Sequence, residues 1–298
     1  MAKQRLDQLL VTRGLVPTRS QAESWIRMGK VFVRGQVARK PGLFVTEDAD
    51  IELKTSEQYV SRAGLKLASV AQALHLNFQG AAVLDVGSST GGFTDYALQH
   101  GARKVIAVDV GTDQLHPSLH GNPKIELHEQ TDIRNVVLAG GSLAAISFSE
   151  LRRSTADSTS SLTRGVLPVS STNVLAKAAR AGDPPKVATP QFVVISETPD
   201  IVVIDVSFIS LREILPHVAR LSGGQTKVAA MLKPQFEAGH DAKHKGVIKN
   251  DAMRRDILKN FETWVKKYFV ILDKADSQVS GTKGNRERFY LLQKIAKG

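Results

Sequence analysis

Apolar and polar positions along the chain follow two rhythms, and the change between them falls near residue 60. In the first stretch Leu6, Leu9, Leu10 and Arg13 recur at helical spacing, and Gly14 stands where that helix can end. Thr18 or Ser20 can cap a second helix with Ala22 and Ile26 on one face, closed by Gly29. The segment KVFVRGQVARKPG then reads as two short strands around a turn at Arg34-Gly35. A small α+β module over residues 1–60 is the expectation.

After Ser61 the spacing of Leu67, Val70, Ala71 and Leu74 predicts a helix, with Arg62 and Lys66 four apart on another of its faces. From there apolar runs interleave with helical stretches. The runs are AAVLDVG, KVIAVDV, IELHEQ, DIVVIDVS, KVAAMLKP, FVILD and RFYLLQKI; helices are expected at Gly92 to His100, from Leu211, and from about Asn250 to Lys267. Continuous apolar strands between helices predict an α/β domain over 61–298, Rossmann-like, its doubly wound and mostly parallel sheet buried on both faces. The last two runs are joined by SGTKGN with no helix between them, so they are expected to pair antiparallel. Residues 139–196 break the rhythm. They are rich in Ser, Thr, Ala and Gly and far exceed the roughly 2–6 residues usual in α/β connections, so they read as a largely flexible insertion with a short strand at QFVVIS.

Composition narrows the chemistry. The chain has 298 residues, 42% of them hydrophobic, enough for a full core. It contains no cysteine, which removes disulfides, thiolate metal sites and cysteine nucleophiles. No apolar run approaches the roughly 18 residues of a membrane span, and MAKQRLDQLL lacks the apolar centre of a secretory signal, so a cytoplasmic protein is expected. The net charge is +11, unevenly spread: residues 1–46 carry +7, residues 227–298 carry +8, and the middle carries −4. Two basic ends suggest a polyanion gripped at two places, with Arg5, Arg13, Arg19, Arg27, Lys30 and Arg34 as candidate phosphate contacts in the first module. His240 and His244 stand four apart in a Gly- and Lys-rich loop that reads as phosphate-facing rather than as a zinc site, and no metal is expected.

The glycine-rich stretch DVGSSTGGF, residues 85–93, joins a strand to a helix as in nucleotide-binding folds. Its register is Gly87-x-Ser89-x-x-Gly92, without the middle glycine that a pyrophosphate needs. Asp109 ends the second strand 24 positions after Asp85, suited to ribose hydroxyls. A ligand with a ribose and no pyrophosphate satisfies both facts, and S-adenosylmethionine is one: its amino-acid part would sit at the bend of Gly87, Gly91 and Gly92, and Asp132 could take its adenine amino group. Asp205 and Lys233 follow apolar runs at the carboxyl edge of the sheet, Glu287 begins the last strand, and Lys66 comes from the first helix of the domain. Two lysines and two acids able to converge on one cleft are a candidate catalytic group.

The stretch RLDQLLVTRGLVPTRSQAESWIRMGKVFVRGQVARKPG resembles the RNA-binding module first known in ribosomal protein S-four, which implies structured RNA as a partner. The chain from residue 3 to about 293, outside the insertion, is similar to the hemolysin-A-type (TlyA) RNA 2′-O-methyltransferases with their FtsJ-like catalytic domain. That resemblance rests on SRAGLKL, DVGSSTGGFTD, VDVG, VVIDVSFISL, LKPQFEAG, KGVIK and GNRERF, in this order. It implies a catalytic tetrad of Lys66, Asp205, Lys233 and Glu287, and cofactor contacts from the glycine loop with Asp85, Phe93, Asp109, Asp132 and Asp205. It also implies ribosomal RNA or ribosomal subunits as the partner, and leaves the oligomeric state open. VDVGTDQLHP departs from the family in lacking an aromatic after its glycine, TDIRN has Asp132 where Asn is commoner, and Arg288 replaces an apolar residue after Glu287.

For such a tetrad the difficult part is to make a ribose 2′-hydroxyl nucleophilic and hold it in line; a lysine can steady the alkoxide, or take its proton if its pKa falls towards neutrality. Two other readings compete. A base-methylating enzyme on the same sheet would offer an Asn/Asp-Pro-Pro-aromatic element where this chain has DVSF. A non-enzymatic RNA-binding protein, or a membrane-lytic one, is the other; lysis is disfavoured for want of an apolar span or a strongly amphipathic surface helix.

Overall fold

The computed structural model describes residues 3–16, 18–54, 59–139, 192–238, 246–248, 250–281 and 284–296. The leucines expected to face inward do so. Helix α1 (Leu6–Thr12) buries Leu6, Leu9 and Leu10 against Ala22, Trp25 and Ile26 of α2 (Arg19–Arg27). Thr18 is the cap of α2, its side chain accepting from the Gln21 N–H, and Gly14 and Gly29 take φ of 68° and 73° beyond the two helices. Strands β2 (Val31–Val33) and β3 (Gln36–Val37) form the expected hairpin, with Arg34 at φ 50° and Gly35 at φ 74° in its two-residue turn. Three strands were not expected. β1 (Lys3–Arg5) pairs with β4 (Phe44–Thr46), and β5 (Ile51–Leu53) pairs with β2. Each is three residues long, too short for alternation to register in sequence.

The larger unit begins with α3 (Arg62–Ala71), β6 (Ala82–Val86), α4 (Gly92–Gln99), β7 (Lys104–Val108) and β8 (Ile125–His128). Strands β9 (Val136–Leu138), β10 (Val193–Ile195) and β11 (Ile201–Ile204) follow, then α5 (Leu211–Leu221) and β12 (Lys227–Leu232). The helical turn α6 (Pro234–Glu237), helix α7 (Asp251–Val265), β13 (Phe269–Asp276) and β14 (Arg288–Lys294) complete it. Seven strands form one sheet in the order β13-β14-β12-β11-β6-β7-β8. All are parallel except β14, which runs antiparallel between β12 and β13.

Alternation along each strand divides the interior into two cores. Val83, Val105, Val203 and Met231 face the side covered by Leu67 and Val70 of α3 and Phe93 and Ala97 of α4. Leu84, Ile106, Ile204 and Leu232 face the side covered by Ile214 and Val218 of α5 and Phe261 of α7. The first core continues into the N-terminal helices through Tyr59, whose ring lies 5.3 Å from Tyr96 and whose carbonyl accepts from Gln21 Nε2 at 3.1 Å. The neighbouring Val60 N–H donates to Asp95 Oδ2 at 2.8 Å.

Within 139–196 the described residues are Ala139 and those from Phe192 onward. The strand expected at QFVVIS is present as β10, which pairs in parallel with β9, and Ile195 is buried in the α5 core. The Ala139 N–H continues the ladder by donating to the Ile195 carbonyl at 2.9 Å, and buried His217 of α5 bonds the Val136 carbonyl at 2.7 Å. Residues 140–191 lie outside the described residues.

Candidate active site

The glycine loop between β6 and α4 is shaped by close approaches within the protein. Gly87 has φ 81°, and a Cβ there would stand 2.9 Å from the Asp205 carbonyl oxygen, so only glycine lets the end of β6 press on the end of β11. A Cβ on Gly92 would stand 2.8 Å from both Ala63 Cβ and Gly64 N. The bare Cα of Gly92 therefore lets α4 seat against the first turn of α3, the helix that carries Lys66. Ser89, at φ 46°, donates its N–H to Asp109 Oδ2 at 2.8 Å, while Asp109 Oδ1 accepts from Gly111 N at 2.7 Å. Asp109 thus ties the glycine loop to the loop after β7.

A cavity of about 470 Å³ opens at this edge of the sheet, within the size range of small-molecule sites. Its polar lining includes Asp109, Asp132, Asp205 and Ser207; Val86, Val108, Ile133 and Ile214 supply apolar walls. Asp132 accepts from the Arg134 backbone N–H and is held by the Arg134 guanidinium at 2.7 Å. Burial opposes ionisation of Asp132, but the Arg134 bonds outweigh it and hold the carboxyl below the usual range. Phe208, at φ 67° and 92% exposed, stands at the rim with its ring 5.4 Å from that of Phe236.

Of two lysine–carboxylate pairs, one reaches the cavity through Asp205. Lys233, just beyond β12, places Nζ 2.5 Å from Asp205 Oδ1 and 2.7 Å from Ser207 Oγ. Lys66 of α3 places Nζ 2.7 Å from Glu287 Oε2. All four side chains are largely buried, Glu287 at 2% exposure and Asp205 at 13%. The antiparallel register of β12 with β14 ends at Leu232 opposite Arg288, so the next position sets Lys233 across from Glu287. The sheet therefore gathers Lys66, Glu287, Lys233 and Asp205 at one edge. Gly281 makes room for this arrangement: a Cβ there would stand 2.6 Å from the Glu287 carboxyl carbon. Arg288, the departure after Glu287, turns to Asp276 at 2.6 Å and leaves Phe289 to face the core.

The expected cofactor residues divide into two groups. Gly87, Asp109, Asp132 and Asp205 line the cavity. Asp85, Gly91, Gly92 and Phe93 do not: Phe93 packs 6.0 Å from Phe289, and a Cβ on Gly91 would run into Leu115 and Leu119. Asp85 is fully buried beneath the loop, with Thr94 Oγ1 donating to Oδ2 at 2.7 Å and no partner for Oδ1 among the described residues. Burial pushes its carboxyl up to about 7. Periodicity and motif do not single out Ser207, Phe208 or Gly281, which lie in DVSF and SGTKGN, because their neighbours in space come from distant strands. Among the described residues no group of three or more metal-ligating side chains occurs; His240 and His244 lie outside them.

The basic residues of the N-terminal module also divide. Arg5 and Arg19 close on the buried Asp7 at 2.7 and 2.8 Å. Burial opposes ionisation of Asp7, and these bonds more than offset it, holding its carboxyl below the usual range. Arg13 donates to the backbone carbonyls of Ala49 at 2.8 Å and Glu47 at 2.5 Å. Arg27, Lys30 and Arg34 are exposed. Half of the candidate phosphate contacts are therefore engaged in holding the module together.

Comparison with known proteins agrees with this architecture. Residues 59–294 match the FtsJ-like methyltransferase family and residues 4–51 match the S4 domain. Hemolysin A of Brachyspira hyodysenteriae is 28% identical over 95% of this chain and 97% of its own length. The 16S/23S rRNA (cytidine-2′-O)-methyltransferase TlyA of Mycobacterium tuberculosis is 30% identical over 84% of this chain and 74% of its own. A solved structure of a hemolysin-named protein from Lactococcus lactis superposes with a TM-score of 0.59 at 31% identity, covering 80% of this chain and 90% of that one. No described helix is long and apolar enough to cross a membrane. With an S4 domain ahead of it and a lysine–carboxylate cluster at the carboxyl edge of its sheet, the chain belongs to the FtsJ-like methyltransferase family.

Proposed function

We propose that this protein transfers a methyl group from S-adenosylmethionine to a ribose 2′-hydroxyl of ribosomal RNA. The observation that carries the reading is the pairing of Lys66 with Glu287 and of Lys233 with Asp205, the last of which lines a cavity of ligand size. The cavity suits the cofactor by its donor set. Asp109 keeps lone pairs for ribose hydroxyls, Asp205 offers a carboxylate to a cationic group, and the valine and isoleucine walls suit a flat ring. Asp132, already held by Arg134, keeps spare acceptor capacity for an amino group. When bound, S-adenosylmethionine supplies a methyl on a sulfonium, which is electrophilic without further activation.

The protein's own task is then the nucleophile. A lysine ammonium has three N–H donors; Lys233 gives one to Ser207 Oγ and stands in ion-pair contact with Asp205, so donor capacity remains for a substrate oxygen. A donor fixed in this way and shielded from water stabilises negative charge as it develops on the 2′-oxygen, more than it stabilises the neutral hydroxyl, and the hydroxyl proton passes to the neighbouring Asp205 carboxylate as the bond to the methyl forms. Lys66 and Glu287 fill the adjacent position with a charge-neutral pair, so the site gains no net charge from them. Phe208, its ring exposed at the rim, offers a face on which the base of the target nucleotide can stack. The N-terminal module supplies exposed cations for phosphates at a distance from the reaction.

The test supplies labelled methyl donor together with intact ribosomal subunits or naked ribosomal RNA, then maps the product. A 2′-O-methyl mark on ribosomal RNA is the expected result. Label on a base, or none with either substrate, overturns the reading.

A further inference from the structure

A second cavity, of about 500 Å³, lies in the N-terminal module, far in sequence from the lysine–carboxylate cluster. It forms where β1 and β4 meet the hairpin of β2 and β3. Its apolar lining is unusually exposed: Phe44 at 63%, Val37 at 45% and Leu43 at 40%. These side chains do not serve the core. In β4 the inward side chain is Val45, at 8% exposure, and alternation turns Phe44 outward. Lys3 and Arg34 belong to the same cavity, and both are exposed. Asp48 lies within electrostatic reach of Arg34, and the stretch 1–46 as a whole still carries +7.

We propose that this hollow binds one unstacked nucleobase of a structured RNA, with Phe44 as the stacking surface and Lys3 and Arg34 on the flanking phosphates. The proposal rests on the reading of the N-terminal module as RNA-binding. Sequence-tolerant recognition of unpaired nucleotides combines an aromatic face, worth about 1–3 kcal/mol for each stacked base, with cations along the backbone. An exposed apolar patch on a protein usually marks a contact surface. Here the cations around it favour a polyanion over an apolar protein partner. The hollow would hold a loop or bulge nucleotide outside the one being methylated, so it would act on where the RNA is seated rather than on the reaction.

The experiment uses the full-length protein and a ribosomal RNA hairpin with an unpaired loop, alongside a fully paired duplex of the same length. Binding is measured from low to moderate salt for wild type, Phe44→Ala, Phe44→Trp and Arg34→Ala, with a thermal melt of each. Phe44→Ala is expected to weaken hairpin binding roughly 5- to 150-fold, the equivalent of one stacked base, with the salt slope and duplex binding unchanged. Phe44→Trp should keep affinity, and with Trp25 and Trp264 replaced by Phe its fluorescence should be quenched on hairpin addition. Arg34→Ala should lower the salt slope by roughly one phosphate contact. Unchanged hairpin affinity in Phe44→Ala, or equal losses on hairpin and duplex, overturns the hollow while leaving RNA binding by the module intact if Arg34→Ala still lowers the slope. The same titration on intact ribosomal subunits separates a protein partner: Phe44→Ala binding the hairpin normally but subunits weakly would assign the hollow to a ribosomal protein and also overturn it. A wild-type protein with no salt-dependent RNA binding would instead remove the reading on which the hollow depends.

Discussion

Lys66 and Glu287 form an ion pair with almost no solvent, and that makes its two single substitutions differ sharply from the double one. The lysine side chain is 9% exposed and the carboxylate 2%, 2.7 Å apart. Lys66→Met keeps most of the apolar volume but leaves a buried carboxylate without its cation, and breaking a buried pair from one side costs roughly 3–5 kcal/mol. Glu287→Gln strands the ammonium and should cost a similar amount. The two together remove both charges and leave groups of similar size, so the double variant should lie within about 1 kcal/mol of wild type. The coupling energy expected is therefore about 5 kcal/mol or more. Urea unfolding at neutral pH gives the four stabilities. Trp264 of α7 reports on the sheet once Trp25 of the N-terminal module is replaced by Phe, because the chain has two tryptophans. Methyl transfer should be lost in all three altered proteins, including the double variant whose stability has recovered. Single losses under about 1 kcal/mol that simply add would show the pair to be solvated and refute the reasoning; an active double variant would remove Lys66 and Glu287 from the chemistry.

Other expectations follow from the same geometry. Lys233→Ala should abolish single-turnover methyl transfer while donor and RNA binding persist, and Lys233→Arg should fail too, because a planar fork cannot take the place of a compact ammonium between Asp205 and Ser207; near-normal turnover in the alanine variant would refute the assignment. The Asp85 carboxyl, raised to about 7 from about 3.8 when unfolded, keeps the folded state more protonated between those values, so folding stability should fall as pH rises through that window. Asp85→Asn should flatten that slope and gain up to about 4 kcal/mol over wild type above pH 7, read by urea midpoints at pH 4.5, 6 and 8. Replacing exposed Arg27, Lys30 and Arg34 with alanine should reduce the salt dependence of RNA binding by roughly two to three units of log–log slope, whereas Arg19→Ala should chiefly lower thermal stability at neutral pH, where Asp7 is ionised, and less so as pH falls through the depressed Asp7 pKa. Residues 141–190 should be replaceable only by a linker of about a dozen residues, since β9 and β10 are parallel and a shorter bridge cannot return along the strand; circular dichroism and donor binding would show whether the fold survives.

Much of this was legible before any coordinates, for reasons that can be named. The continuous apolar run of AAVLDVG and its successors marks strands buried on both faces, because a central parallel strand has no polar side. The absence of a helix in SGTKGN foretold the antiparallel turn into β14. The departure at Arg288 left the facing of the last strand undecided in sequence, and the answer came from Asp276, 12 positions away, which draws the guanidinium outward. The motifs SRAGLKL and DVGSSTGGFTD looked like separate signatures. In space they are one contact, with Gly64 and Gly92 letting α3 and α4 touch so that Lys66 arrives beside the loop.

The sequence by itself determined the elements and the list of chemically capable side chains, because periodicity, caps and residue types are local properties. Only the tertiary structure decided how they pair. Lys66 reaches Glu287 across more than two hundred positions, and Lys233 closes on Asp205 rather than on Glu287, which lies one position past the end of the β12–β14 register. Arg5 and Arg19 stand in the same basic cluster as Arg27 and Lys30, yet fold inward on Asp7 while the latter stay in water. Charge patterning cannot separate these cases. A charge in sequence has a sign but no neighbours, and the free energy of a buried ion is set by the neighbours.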